Sequence, residues 1–191
     1  MRPGSRFRGQ SGLSLLELMF AITILAIGMA AGMILITGAI ASNNRNKLDT
    51  TATMLSQGLL EQIIAFGPDP AGTFNVTDCL GNITAVDPRV QAGQPSSGAT
   101  VVNGQISFAG TAPPGYGMQY TECRANGQTA TYDVRWYVQT LNASPGPPRK
   151  IYTKLVIVSA RQTGTNNGGP SALLLFSPPI TLRAIAASQT N

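Results

Sequence analysis

The chain contains no histidine, which removes the commonest general base and with it every Ser-His-Asp, Cys-His and HExxH arrangement. Neither a phosphate-cradling glycine loop nor a dinucleotide fingerprint occurs. What remains for chemistry is a short set. Asp69, Asp78 and Asp87 fall nine residues apart in a turn-rich stretch, a spacing unlike that of an EF-hand, and read as solvated or ion-paired acids. Glu122 and Asp133 could meet as a carboxylate pair, but surface acids are the simpler reading. Arg135, Arg149, Lys150, Lys154 and Arg161 could gather into a basic patch able to touch DNA. Charged residues guarding a sheet edge explain them more simply. Two isolated cysteines, Cys79 and Cys123, cannot complete a zinc tetrad without histidine. No metal or cofactor is expected, and no catalytic residue is assigned. The last candidate is Glu17, and its surroundings set it apart.

Glu17 stands at the head of the longest apolar run in the chain. From residue 18 to 41 there are 24 residues without a charge, LMFAITILAIGMAAGMILITGAIA. As a helix this run is about 36 Å long at about 1.5 Å per residue, enough to cross an apolar bilayer core of about 30 Å. A carboxylate at the edge of such a helix is costly unless it finds a cation. Just ahead lies a short basic stretch with Arg2, Arg6 and Arg8, ending in Ser11-Gly12. A plain reading of Glu17 is also open: an acid in the first turn of a helix is favoured by the macrodipole.

The order basic leader, Gly12, apolar Leu13, Glu17, apolar helix resembles the class III signal of type IV pilins and pseudopilins. The resemblance implies that a prepilin peptidase in the membrane cuts between Gly12 and Leu13 and methylates the new amine of Leu13. It implies that the product is later drawn from the inner membrane into a helical filament with other pilins. Family members mostly carry Phe where Leu13 stands, and the apolar character is kept. Cleavage would create a cation one helical turn from Glu17 on the same face. In the family, the glutamate of one subunit pairs with the amine of its neighbour and sets the axial register. In a bundle of apolar helices a carboxylate needs such a partner.

Two other readings of the amino terminus compete. Ala39-Ile40-Ala41 before Ser42 fits a secretory cleavage site, but the apolar run is far longer than the about 7–15 residues of an ordinary signal peptide. A plain signal anchor oriented by the leader arginines accounts for neither Gly12 nor Glu17.

The 191 residues leave room for one domain beside the helix. Charged residues make up only 11%, while 21 glycines and 13 prolines point to a head rich in turns. The net charge is +5, but three of the 13 basic residues lie in the leader and the remainder carries +2, too little for a general nucleic-acid footprint. In an exported protein Cys79 and Cys123 would form one disulfide closing a loop of 45 residues. The chain-entropy value of such a loop is about 4 kcal/mol. Two buried thiols are the other reading.

Past the apolar run the pattern changes. Leu48, Ala52, Leu55, Leu59, Ile63 and Phe66 recur every three or four residues among polar ones, an amphipathic stripe. Gly67-Pro68 is a stop. One helix of about 50 residues is therefore expected over 13–66, its 18–41 portion in the membrane or filament core. Gly28 and Gly32 fit the small-residue pattern for close helix packing. The head, 67–191, should be β-rich, with short strands at 73–77, 100–102 and 105–108. The last two are joined by Asn103-Gly104, a type I′ turn signal. ATYDVRWYVQTL (130–141) and KIYTKLVIVSARQ (150–162) alternate as a long hairpin, followed by strand candidates at 171–176 and 180–184. This hairpin, with the helix segment MLSQGLLEQI, resembles the minor pilins of the type IV pilus modification family and, similarly, a pseudopilin of type II secretion.

The expectation is an α+β protein of the type IV pilin fold, a long amino-terminal helix packed against an antiparallel sheet. Its expected function is structural: a minor pilin, processed after residues 1–12 and involved in pilus assembly, its head in the periplasm before incorporation. A type II secretion pseudopilin, or a membrane-anchored periplasmic binding module, is the alternative.

Overall fold

A computed structural model describes residues 14–124, 127, 129–145, 150–165 and 178–188. Among the described residues one helix, α1 (Leu15–Ala65), is followed by nine strands: β1 (Phe74–Thr77), β2 (Ile83–Val86), β3 (Ser96–Gly98), β4 (Val101–Val102), β5 (Gln105–Ile106), β6 (Gly117–Cys123), β7 (Thr129–Ala143), β8 (Ile151–Thr165) and β9 (Ile180–Ala187). This is the α+β arrangement of the type IV pilin fold: a long amino-terminal helix with antiparallel sheets. The chain divides into two compact units, residues 1–46 and 47–191.

The first unit is the apolar part of α1. From Ser14 to Asn43 no side chain is buried, because the run is apolar on every side and no single face is distinguished. It is long and apolar enough to cross a membrane.

The second unit begins with the amphipathic part of the helix. Ala52, Ser56, Leu59 and Ile63 are buried along one stripe, each within 4% of complete. They lie at the 3.6-residue period and cover one face of the main sheet. The helix ends as Gly67 turns into the left-handed region (φ 76°) and donates its N–H to Ile64 O at 2.8 Å, the usual role of glycine after a helix.

The main sheet runs β3-β7-β8-β9, all antiparallel, and β6 also pairs with β7. β3 and β6 share one edge of β7: β6 takes residues 129–135 and β3 takes 137–139. Alternation sorts the side chains. Tyr132, Val134, Trp136 and Val138 of β7, with Val156, Val158 and Ala160 of β8, form the core against the helix stripe. The opposite face carries a smaller apolar cluster, Ala99, Ile106 and Ile157, joined by Phe108, Tyr137 and Leu155. The β4–β5 hairpin belongs to this cluster, and its turn residues Asn103 (φ 51°) and Gly104 (φ 75°) both adopt positive φ, as a type I′ turn requires. At Gly98 (φ 121°) a Cβ would lie 2.5 Å from Trp136 O, so only glycine lets β3 close against β7.

β1 and β2 form a separate two-stranded sheet, and Val86 of β2 is fully buried in the core. A disulfide between Cys79 and Cys123 ties this small sheet to the end of β6. β2, β3 and β6 are strands beyond those read from the alternation. The expected strand at 171–176 lies outside the described residues.

Candidate functional site in the amino-terminal helix

The start of α1 is capped. Ser14 Oγ accepts the Glu17 N–H at 3.2 Å, and Ser14 O accepts the Leu18 N–H at 3.1 Å. Ser14 is thus the N-cap and Glu17 occupies the third helical position, the S-x-x-E spacing of a capping box. Spacing alone held this signal. Glu17 therefore satisfies its backbone locally and leaves its carboxylate exposed at the positive end of the helix. Gly12 and Leu13, like Arg2, Arg6 and Arg8, lie outside the described residues.

Two other side chains in the run can form strong hydrogen bonds, and both turn back on their own helix. Thr23 Oγ1 donates to Met19 O or Phe20 O at 3.1 and 2.9 Å, and Thr37 Oγ1 to Met33 O or Ile34 O at 3.0 Å each. Glu17 is then the single group between residues 15 and 41 that must look beyond its own helix. Nothing lies within 4 Å of a Cβ built at Gly28, Gly32 or Gly38, so these positions offer open grooves to a neighbouring helix.

The candidates in the head are dispersed. Glu122 and Asp133 do not pair: Glu122 opposes Ala130 on the core face, where Thr51 Oγ1 lies 3.4 Å from its Oε1, and Asp133 is on the other face. The basic residues that could have formed a patch are dispersed as well. Arg135 is buried, with its guanidinium 2.8 Å from Asp133 Oδ2 and donating to Ser107 O and Gly110 O. Arg161 opposes Asp133 across the strands and stacks on Phe108 at 4.6 Å. Lys154 lies on the core face, without solvent exposure, and donates to Pro88 O at 2.9 Å. Arg149 lies outside the described residues. Strand alternation thus places Arg135 and Arg161 on one face and Lys154 on the other, and these three form no common patch.

The three aspartates also part company. Asp78 Oδ1 accepts the N–H groups of Leu80 and Asn82, and Oδ2 accepts the Asn82 amide. The Asn82 side chain, above all, holds its carboxyl below the usual range. Burial pushes the Asp87 carboxyl up, but the two-pronged bond from Arg89 outweighs it and the net shift is downward. Asp69 accepts the Ile151 N–H at 3.3 Å. Burial brings the Lys154 ammonium down to about 8, against the opposing pull of Asp69 and Asp87.

Residues 7–33 match the family model described as the prokaryotic N-terminal methylation motif. No curated protein and no solved structure matches the chain significantly. The motif and the capped apolar helix make the amino terminus type IV pilin-like: a class III signal of the kind that prepilin peptidase processes, on a helix suited to an inner membrane and then to assembly with other pilins. Proteins with this signal are structural subunits.

Proposed function

We propose that the protein is a minor type IV pilin, a non-catalytic subunit that helps initiate or decorate a pilus. Prepilin peptidase removes residues 1–12, the exposed amine of Leu13 is methylated, and the head stands in the periplasm while the helix waits in the inner membrane. In the filament, Glu17 of one subunit pairs with the Leu13 amine of its neighbour and sets the axial register. The observation that carries this reading is the methylation motif over 7–33, on a helix whose apolar run begins with the exposed carboxylate of Glu17. An unpaired carboxylate among packed apolar helices is strongly penalised, and a neighbouring ammonium removes that penalty.

Mass spectrometry of the mature amino terminus tests the processing step. N-methyl-Leu13 is expected; an intact Met1 would mean an uncut anchor, and Ser42 a secretory signal. The same motif also serves pseudopilins of type II secretion. Isolation of the processed protein in surface pili supports the pilin role, whereas loss of protein secretion on deletion, with pili intact, supports the pseudopilin.

A further inference from the structure

The cap on α1 sets where the helix begins relative to the bond between Gly12 and Leu13, the bond that processing cuts in the reading above. Ser14 Oγ accepts the Glu17 N–H at 3.2 Å, and Ser14 O accepts the Leu18 N–H at 3.1 Å. The first carbonyl drawn into the helix is therefore that of Ser14, two residues past Gly12. A helix begun one turn earlier would alter this. Helical bonds run from each N–H to the carbonyl four residues before it, so the Gly12 carbonyl would be tied to the Leu16 N–H. Hydrolysis needs that carbonyl free. Water adds to the Gly12 carbonyl carbon, the C–N bond breaks, and the products are a Gly12 carboxylate and a Leu13 amine. The oxygen that gains negative charge on the way takes hydrogen bonds from the peptidase, and a bond inside the helix competes with them.

Ser11 offers that earlier start. It stands three residues before Ser14, and serine is a favoured N-cap at either position. The two serines bracket the bond that is cut. What separates them is the residue three places on. Ser14 is followed there by Glu17, the acidic partner of a capping box, whereas Ser11 is followed by Ser14, which is not such a partner. Gly12 adds to the bias, because a helix begun at Ser11 would enclose a residue of poor helix propensity. We propose, on the basis of the processing step above, that Ser14 is a positioning residue for cleavage. With Glu17 it stops α1 short of the scissile bond and leaves the Gly12 carbonyl open to the peptidase.

The test follows cleavage of the full chain in detergent micelles by purified prepilin peptidase, with mass spectrometry of the products. Ser14→Ala removes the cap and puts the strongest helix former in its place. It should lower kcat/KM about fivefold, through KM rather than kcat, since only the unwound fraction of the substrate is competent to bind. Amide exchange at Leu16 should slow in the same variant. Ser14→Asn and Ser14→Thr keep a cap and should be cut as the unaltered chain is. Ser11→Val alone should also be cut normally; added to Ser14→Ala it removes the earlier start and should recover most of the loss. No cleavage of the unaltered chain between Gly12 and Leu13 would overturn the processing reading and this proposal with it. Where that cleavage occurs, an equal kcat/KM in Ser14→Ala overturns the proposal alone. So does a loss that Ser14→Asn and Ser14→Thr share, which would mark contact of the serine hydroxyl with the peptidase.

Discussion

The two stretches of α1 solve opposite problems with the same backbone. Between Leu18 and Ala41 the helix is apolar all round and buries none of its side chains within the chain. Between Lys47 and Ala65 it is amphipathic and buries Ala52, Ser56, Leu59 and Ile63 against its own sheet. The first stretch is incomplete without an environment supplied from outside, lipid or other helices. The second is complete by itself. Damage to the first should therefore appear in membrane and assembly assays, and damage to the second in stability.

The sharpest way to break that division is Glu17→Ala. Insertion into the membrane should be unchanged, incorporation into filaments should fall at least tenfold in an immunoblot of sheared pili, and the head's thermal midpoint should stay put. A normal filament yield would remove the partner-seeking role from the first stretch. Trp136→Ala acts on the other side. It empties the centre of the core and unhooks Asp87 O, and should destabilise the head by about 3–5 kcal/mol in chemical denaturation. Insertion should be unaffected. Replacing Cys79 and Cys123 by serine frees the β1–β2 sheet from β6. By the chain-entropy argument it should lower stability by about 4 kcal/mol, and a loss below about 1 kcal/mol would show that packing alone holds the small sheet.

Lys154 sharpens the comparison through pH. Its folded-state value of about 8 lies below the ordinary 10.5, so the unfolded chain binds the proton more tightly. The burden of burying the charged form is complete below pH 8 and fades as pH rises toward 10, which makes stability climb over that window by up to about 3 kcal/mol. Above pH 10 the buried Tyr116 and Tyr132, both raised by burial, oppose the trend. Lys154→Met should flatten the climb, as measured by denaturant midpoints across pH. The smallest effect is Ser56→Ala. Ser56 Oγ is buried in the helix–sheet interface without a partner, and its removal should stabilise the head by about 1 kcal/mol.

How much of this was legible in the sequence depends on whether a signal was local. The helix was readable from its period and from Gly67-Pro68, and the β7–β8 hairpin from alternation over a dozen residues. Asn103-Gly104 announced its turn because only a few residues tolerate positive φ. β6 went unread although Met118 and Tyr120 alternate with Gln119 and Thr121, since the strand sits between turn-rich stretches and is short. β3, Ser-Ser-Gly, has no apolar residue to betray it. Alternation could put Lys154 on the same face as Val156. It could not show that the 87–89 backbone covers that end of the face, so a lysine read as surface proved to be core. Arg135 and Asp133 were misread for a related reason, because the segment 107–110 that covers Arg135 is distant from it in sequence. At the amino terminus the signal was almost wholly local, a matter of charge order and spacing.

Thr23 and Thr37 turn their hydroxyls onto carbonyls of their own helix, and this leaves the flank of the rod with shape but no vocabulary. Such a surface can select an apolar neighbour only by fit, at the grooves left by Gly28, Gly32 and Gly38. Selectivity along this stretch is left to Glu17, its one charged group.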